Sequence, residues 1–400
     1  MPRSYKFIAS TYARRIAVSA VITAFGVPAL AATCGGSFNS FVQEMSREAA
    51  AQGLPSQAIS TFFAGAKQDP RVLRADRAQG VFQKPFDAFS QSVISRNRLQ
   101  NGAAKLQAYR NVFDRVESSS GVSRGVLAAF WGLETDFGAV QGDLNTRNAL
   151  VTLAHDCRRP ELFQPQVLAG IALTARGDFD PARTTGAWAG EIGQVQMLPA
   201  DLLRNGVDGD GDGHVDLKGS SPDALMSGGK MLSELGWRRG EPWMQEVIVP
   251  DGLDWSKTGI DSKLSGAEWA KRGVTARSGQ LYNLPSSILL PMGRKGPAFI
   301  VYPNFNVLFE WNKSFVYVTT AAYFATRLEG APPYNLGSPD PALSPNQMQA
   351  LQTKLRARGH DVGAVDGILG ALTRNAVQRE QARLGMPADA WPTKQLLDSL

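Results

Sequence analysis

Apolar side chains recur at three- and four-residue spacing over long stretches of this chain, which predicts a mainly helical protein. One face of the clearest stretch is formed by four positions at this spacing, Leu127, Phe130, Trp131 and Glu134. Ser123 is a favourable N-cap for this helix, and Gly138 is a favourable stop because glycine readily adopts the left-handed backbone. We therefore expect a helix with one carboxyl on an otherwise apolar face.

Glu134 has the surroundings that raise the pKa of a carboxyl. Its apolar neighbours disfavour the charged form, and the last turn of a helix is the negative end of the helix dipole. A carboxyl that holds its proton at neutral pH can act as a general acid. The alternative is a structural glutamate paired with an arginine such as Arg147.

Sequence patterns in the rest of the chain predict a β-hairpin, a linker and further helices. Residues 288–302 predict a β-hairpin with a glycine-flanked turn at 293–296. Residues 330–341 are rich in proline and glycine, as linkers are. The last 57 or so residues predict a small helical module. Further helical patterns cover residues 37–115, 146–156, 162–176, 223–235 and 319–328.

The net charge of +6 overstates how basic the folded protein is. Four of the positive charges lie in the first 15 residues, which hold no acid, so the remainder carries a net charge of +2. This balance offers no concentrated patch for nucleic acid. The basic start, an apolar run over residues 16–27 and a small-residue cleavage pattern predict an export signal over residues 1–31. The run is too short to span a bilayer.

The chain has two cysteines, Cys34 and Cys157. In an oxidising compartment an even count predicts a disulfide, and two free thiols are the alternative. The residues before Cys34 lack the pattern of a lipid-modified cysteine, so we expect an exported, soluble protein of the periplasm. The three histidines are not at metal-ligand spacing, which argues against zinc hydrolysis and a serine–histidine triad.

Two segments have the composition of a sugar-binding surface. Residues 186–199 are small and glycine-rich, which lets a backbone approach a ligand closely, although a tightly packed turn has the same composition. Residues 306–317 combine aromatic rings with an amide, which suits either stacking on sugars or packing in a core. The candidate substrate-binding residues are Trp188, Gln194, Gln196, Trp311, Asn312 and Tyr317.

An aspartate- and glycine-rich loop begins at Asp208. Its carboxylates at positions 1, 3 and 5 and its glycine at position 6 match the start of a calcium-binding loop. Position 12 is Gly219 rather than glutamate, so we expect Asp223 to close the site. A solvated turn is the alternative. The candidate ligands are Asp208, Asp210, Asp212, the backbone carbonyl of His214, and Asp223.

These motifs together resemble the lytic murein transglycosylases of the membrane-bound lytic transglycosylase B family, over about residues 37–328. Residues 131–138 resemble the family's catalytic glutamate motif, and Glu134 corresponds to its catalytic acid. Residues 186–199 resemble its cleft-lining segment and the loop at Asp208 its calcium loop, while Asn312 and Tyr317 match substrate-site residues.

The sequence departs from this family at three positions. Ala187 stands where serine is usual, Met231 where tyrosine is expected, and Glu380 where the terminal module usually has a core phenylalanine. The terminal residues still resemble a three-helix peptidoglycan-binding module.

The resemblance implies a mainly α (α+β), lysozyme-like catalytic domain with a small β-hairpin region. The expected boundaries are a signal peptide at 1–31, a catalytic domain at 32–330, a linker at 331–343 and a peptidoglycan-binding domain at 344–400. It further implies cleavage of the β-1,4 bond after N-acetylmuramic acid to give 1,6-anhydro ends. No cofactor is needed for catalysis, and calcium would be structural.

Two other functions remain open from the sequence. A hydrolytic muramidase needs a second carboxylate, for which Glu191 is a candidate. A non-catalytic wall-binding scaffold needs no carboxyl on an apolar helix face. In each case we expect a monomer whose partners are glycan strands and proteins of cell-wall synthesis or remodelling.

Overall fold

The computed structural model describes residues 32–78 and 84–400, and the predicted signal peptide lies outside this range. Helices dominate, as the periodicity predicts. The helices are α1 Phe38–Ala51, α2 Ser56–Phe63, α3 Pro70–Arg77, α4 Phe86–Val93, α5 Arg96–Ala108, α6 Arg110–Ser120, α7 Arg124–Thr135, α8 Thr146–His155, α9 Pro160–Arg176, α10 Pro199–Asn205, α11 Ser221–Glu234, α12 Gly266–Lys271, α13 Pro303–Trp311, α14 Phe315–Leu328, α15 Pro345–Ala357, α16 Ala371–Arg383 and α17 Lys394–Ser399.

The strands are short. They are β1 Leu144–Asn145, β2 Thr185–Gly186, β3 Met244–Ile248, β4 Leu264–Ser265, β5 Thr275–Ala276, β6 Pro285–Leu289 and β7 Phe299–Val301. The first two pair with each other, and the other five form an antiparallel sheet in the order β4-β6-β7-β3-β5. The predicted hairpin is present, because β6 pairs with β7 with Ile288 opposite Ile300.

The described chain forms two compact units. The first contains residues 32–78, Asn111–Val116 and Glu134–Met231. Its centre is α8, of which all ten residues are buried, packed against α9. Cys34 and Cys157 are joined by a disulfide with their Cα atoms 5.1 Å apart, which confirms the predicted pairing.

The second unit contains residues 84–110, Glu117–Leu133 and Leu232–Leu400. Its five-stranded sheet has an apolar core that includes Trp269, Ile288 and Ile300, each fully buried. The terminal helices α15, α16 and α17 have a core of their own around Leu351 and Val377. They nevertheless fall in the same compact unit as the sheet.

Glu380 is accommodated in the terminal module by charge pairing. The carboxylate is 4% exposed and lies 2.8 Å from His360 Nε2 and 2.7 Å from Arg383 Nη2. The hydrogen bond from Arg383 holds the pKa of Glu380 below its usual value. The module therefore tolerates a carboxylate at a position where an apolar side chain was expected.

None of the helices in the described ranges is both long and apolar enough to cross a membrane.

Candidate active site

The helix predicted around Glu134 is present as α7, and its apolar face is buried as expected. Leu127, Phe130 and Trp131 are at most 1% exposed, and Glu134 is half-buried in the last turn of the helix. The side chain of Ser123 accepts a hydrogen bond from Gly125 N at 3.1 Å, as an N-cap does. The helix thus presents one accessible carboxyl at the end of an apolar face.

The helix ends at Thr135, three residues before the predicted stop at Gly138. Asp136 and Phe137 both adopt left-handed backbone, with φ of 51° and 59°, and Gly138 follows with φ of 89°. Two successive non-glycine residues in this region are uncommon and cost free energy, so surrounding contacts must hold them.

Thr135 supplies two of these contacts. Its Oγ1 donates to the carbonyl of Gln194 at 2.6 Å and accepts from Gly138 N at 2.9 Å. Thr135 is 1% exposed, so both hydrogen bonds are shielded from water. The first unit therefore fixes the helix end that bears Glu134 against the glycine-rich segment.

That segment folds back on itself. Ile192 and Met197 form a two-way bridge with N···O distances of 2.7 and 3.1 Å. Ala187 N donates to Glu191 O at 3.1 Å, and a Cβ at Gly186 would lie 2.0 Å from the same oxygen. Only glycine fits at position 186, as expected of a backbone that is closely approached.

Gln194 is held by the protein itself. Its Nε2 donates to Lys218 O at 3.2 Å, and its Oε1 accepts from Ser221 Oγ at 3.0 Å. The side chain is 5% exposed. These contacts favour a packing role over a direct substrate contact for Gln194.

Trp188 and Gln196 are better candidates than Gln194 for direct contact with a ligand. Trp188 is buried, and within the described ranges its Nε1 has no hydrogen-bond partner. Gln196 is half-buried and has φ of 53°, an uncommon value that marks functional turns. Its Nε2 donates to Gly193 O at 2.7 Å.

Glu191 is the one acidic residue in the sequence of the glycine-rich segment 186–199. It is 3% exposed, and its Oε2 finds no hydrogen-bond partner in the part of the chain that the structure describes. Burial raises the pKa of Glu191 to about 7. A lone glutamate between Gly190 and Ile192, in an otherwise uncharged segment, is the sequence signal for this group.

The aromatic segment lies in the second unit. The Trp311 ring stacks on Phe130 with centroids 4.5 Å apart, and Tyr317 lies 6.4 Å from the same ring. Trp311 and Tyr317 are 8% and 5% exposed. The geometry of Trp311 favours core packing that supports α7, one of the two alternatives left open by the sequence.

Asn312 has a side chain held by one hydrogen bond, through its amide oxygen. It is 1% exposed, and its Oδ1 accepts from Ser314 N at 2.8 Å. Its Nδ2 lacks a hydrogen-bond partner among the described residues. A buried donor without a partner costs free energy, which a substrate oxygen could recover.

The loop at Asp208 is organised as a cation site would be. Carboxylate oxygens of Asp208, Asp210 and Asp212 all lie within 4.8 Å of one another. Asp208 accepts hydrogen bonds from Gly213 N and Gly211 N, which hold the pKa of its carboxyl below the usual value. Three carboxylates at this spacing fit the hard oxygen ligands that Ca²⁺ prefers.

Asp223 does not join this cluster. It is 1% exposed; its Oδ1 accepts from Gly209 N at 2.8 Å and its Oδ2 from Asp216 N at 2.7 Å. Because both oxygens bond to the backbone, Asp223 ties the loop to α11, and its geometry does not favour the expected closing ligand. The backbone N of His214 donates to Asp212 Oδ1 at 2.9 Å.

Comparison with known proteins agrees with these features. The family described as "Transglycosylase SLT domain" matches residues 37–326, and "Putative peptidoglycan binding domain" matches residues 344–400. The membrane-bound lytic murein transglycosylase B of Escherichia coli K12 is 26% identical over 274 residues, which cover 66% of this chain and 75% of that protein.

Solved structures extend the similarity. SltB3 of Pseudomonas aeruginosa, solved in complex with NAG-anhNAM-pentapeptide, is 36% identical with a TM-score of 0.83 and covers 91% of this chain and 99% of that chain. Slt35 of Escherichia coli, solved in complex with calcium, is 24% identical with a TM-score of 0.61 and covers 72% and 92%. The second match shows the fold alone. The predicted lysozyme-like, mainly helical class is thereby confirmed.

Proposed function

The chain belongs to the Transglycosylase SLT domain family, and we propose that it cleaves the β-1,4 bond between N-acetylmuramic acid and N-acetylglucosamine in peptidoglycan, leaving 1,6-anhydromuramic ends. The observation that carries this proposal is Glu134, a half-buried carboxyl on an apolar helix whose end is fixed by Thr135. SltB3, the similar protein at 36% identity, was solved with an anhydro-sugar ligand, which supports the same product here.

The reaction needs one carboxyl and no water. Protonated Glu134 donates its proton to the glycosidic oxygen as the bond from C1 to that oxygen breaks. The resulting carboxylate then takes the proton of the 6-hydroxyl of the same sugar as its oxygen bonds to C1. Atoms balance without any addition, and Glu134 ends the cycle protonated. An intramolecular nucleophile has a large advantage over water in effective concentration.

In the first unit we assign substrate contacts to Gln196 and to Trp188, whose Nε1 is a buried donor without a partner in the described ranges. In the second unit we assign them to Asn312, whose Nδ2 is a second such donor, and to Tyr317 in the first turn of α14. Gln194 and Trp311 act mainly by supporting the segments that carry these groups.

Calcium is proposed as a structural ion. Asp208, Asp210 and Asp212 would hold it with the backbone carbonyl of His214, and Asp223 would shape the loop. The ion would supply positive charge that holds three carboxylates together. It takes no part in the reaction.

The setting is the periplasm, with glycan strands as the substrate. We propose an exported monomer whose mature chain begins after the predicted signal at 1–31. Its residues 344–400 would bind peptidoglycan, and its activity would be coordinated with proteins of cell-wall synthesis or remodelling.

Hydrolysis is the second candidate, and Glu191 is the observation that favours it. A carboxyl with a pKa of about 7 is about half ionised at neutral pH, as a base that activates water would need to be. A purely structural scaffold has no such support, since it needs neither carboxyl.

Replacing Glu134 tests the assignment. Glu134→Gln keeps the size and polarity of the side chain but can neither give nor receive the proton. We expect it to keep the fold, measured by circular dichroism, and to release no muropeptides from purified wall. Glu191→Gln is the matched control and should retain cleavage. Normal release by Glu134→Gln would overturn the proposal.

A further inference from the structure

One arginine of the terminal module is buried outside that module's own core. Arg374 on α16 is 8% exposed, whereas its neighbours Ala376 and Val377 pack inside the module. Its Nη1 and Nη2 donate to the carbonyls of Leu290 and Pro291, at 3.3 and 2.7 Å. Both carbonyls follow strand β6, so the arginine reaches the sheet of the second unit.

The guanidinium also covers an aromatic ring. Its Cζ lies 4.3 Å from the centroid of the Phe315 ring, a cation–π distance. Burial lowers the pKa of Arg374 to about 9, yet the group still carries its charge at neutral pH. Its Nε has no hydrogen-bond partner among the described residues, so the two carbonyls and the Phe315 ring are the contacts that offset the cost of burying this charge.

Other polar contacts hold the module in one orientation. Gln378 Nε2 donates to the carbonyls of Trp255 and Thr258, both at 3.0 Å. Asp389 Oδ2 accepts from Arg294 N at 3.0 Å. A Cβ at Gly293 would lie 2.6 Å from Trp391 Cβ, so module and sheet loop meet without a gap.

The segment before the module is bound as well. Tyr334 hydroxyl lies 3.1 Å from Ser90 Oγ, and Ser338 N donates to Lys295 O at 2.9 Å. Trp391 Nε1 donates to Asp340 O at 3.0 Å. Residues 331–343 therefore follow the surface of the second unit instead of acting as a free tether.

Phe315 connects this contact to the substrate-binding turn. It is the first residue of α14, directly after the N-cap Ser314. Ser314 N binds Asn312 Oδ1 at 2.8 Å, and Ser314 Oγ accepts from Tyr317 N at 3.4 Å. A shift of the Phe315 ring would therefore move the turn that carries Asn312 and Tyr317.

We propose that Arg374 is a positioning residue for the turn 312–317, so that the terminal module acts as a fixed part of the catalytic machinery and not only as a wall anchor. This inference rests on the proposed role of Asn312 and Tyr317 in substrate binding. It predicts that the module matters even for a short, soluble substrate that needs no anchoring.

The test compares Arg374→Gln with Arg379→Gln, an exposed arginine on the same helix. The substrate is a soluble tetrasaccharide of alternating N-acetylglucosamine and N-acetylmuramic acid, with intact wall in parallel. We expect Arg374→Gln to raise KM for the tetrasaccharide roughly tenfold with a smaller change in kcat, because the binding turn is displaced. Arg379→Gln should match wild type, and Arg374→Lys should restore part of the loss.

A double-mutant cycle with Phe315→Leu shows whether Arg374 acts through that ring. If it does, the two changes in KM will not multiply in the double variant. Should Arg374→Gln fail to fold, Arg374→Lys and Phe315→Leu carry the same comparison.

The outcomes separate the two proposals. A loss by Arg374→Gln on intact wall alone, with wild-type kinetics on the tetrasaccharide, would mean that the module is only an anchor. Equal losses from Arg374→Gln and Arg379→Gln, or independent effects of Arg374 and Phe315, would also overturn the inference. A wild-type protein that cleaves neither substrate would instead refute the proposed function.

Discussion

Thr135 fixes the backbone turn directly after Glu134, the carboxyl that we propose as the catalytic acid. Its hydroxyl links the end of α7 to the Gln194 carbonyl and to Gly138 N. The two left-handed residues that follow depend on such contacts. Glu134 precedes Thr135 directly, so any slackening of this turn moves the acid.

We expect Thr135→Val to lower kcat roughly 10- to 100-fold with little change in KM, because a misplacement of about 1 Å can have that effect. Losing the two buried hydrogen bonds should also reduce the free energy of unfolding by about 1–3 kcal/mol. Steady-state kinetics on purified wall and urea unfolding measure both. Thr174→Val is the matched control, since its hydroxyl donates to Gly170 O within its own helix. An unchanged kcat in Thr135→Val would show that Thr135 does not position Glu134.

Individual side chains differ in how far the sequence predicts them. The position of Glu134 on an apolar face follows from helical periodicity, which is local. The role of Gln194 depends on Lys218 and Ser221, 24 and 27 residues away, and no local pattern contains that information. The role of Trp311 is equally hidden from the local sequence, because only the fold shows that its ring stacks on Phe130.

The loop at Asp208 is an element whose internal geometry the sequence largely predicts. Spacing alone places Asp208, Asp210 and Asp212 together, because glycines allow the tight turn between them. A carboxylate after the loop, such as Asp223, can bind either an ion or the backbone, and spacing alone does not distinguish the two. Both oxygens of Asp223 accept backbone hydrogen bonds, which favours the second role.

Adding calcium to chelated protein should raise its melting temperature by mass action on the folded state. At a calcium concentration 100 times Kd the stabilisation is about 2.7 kcal/mol. Asp210→Asn should reduce the shift, whereas Asp251→Asn, at an exposed position outside the loop, should preserve it. Differential scanning calorimetry provides the measurement. A wild-type protein insensitive to millimolar calcium would support the solvated turn.

The disulfide is a second element that stabilises the first unit. It joins residues 123 positions apart, and for so long a loop the chain-entropy model gives up to about 4–5 kcal/mol. We expect the double variant Cys34→Ser, Cys157→Ser to unfold at lower denaturant concentration, by about that free energy. Reductant should destabilise the wild type and leave the double variant unaffected. Equal sensitivity of both proteins would contradict this reading.

At the scale of the whole molecule, the linker and the terminal module pack against the sheet of the second unit. Composition predicts a linker at 330–341, because proline and glycine are typical of linkers. Composition cannot report that Tyr334 packs among Phe86, Phe299 and Tyr323. Composition also cannot report that Arg374 binds the carbonyls of Leu290 and Pro291, because these lie just after strand β6, far from Arg374 in the sequence. Sequence therefore predicts the parts of this molecule better than the contacts between sheet and module.

The central claim is that the 6-hydroxyl of the substrate, and not water, attacks C1. Digestion of purified peptidoglycan in heavy-oxygen water, followed by mass spectrometry, tests it directly. We expect muramic ends that carry no heavy oxygen, are lighter by one water than hydrolysed ends, and resist borohydride reduction. Labelled, reducible ends as the main product would identify a hydrolase and would make Glu191 the first residue to examine as its base.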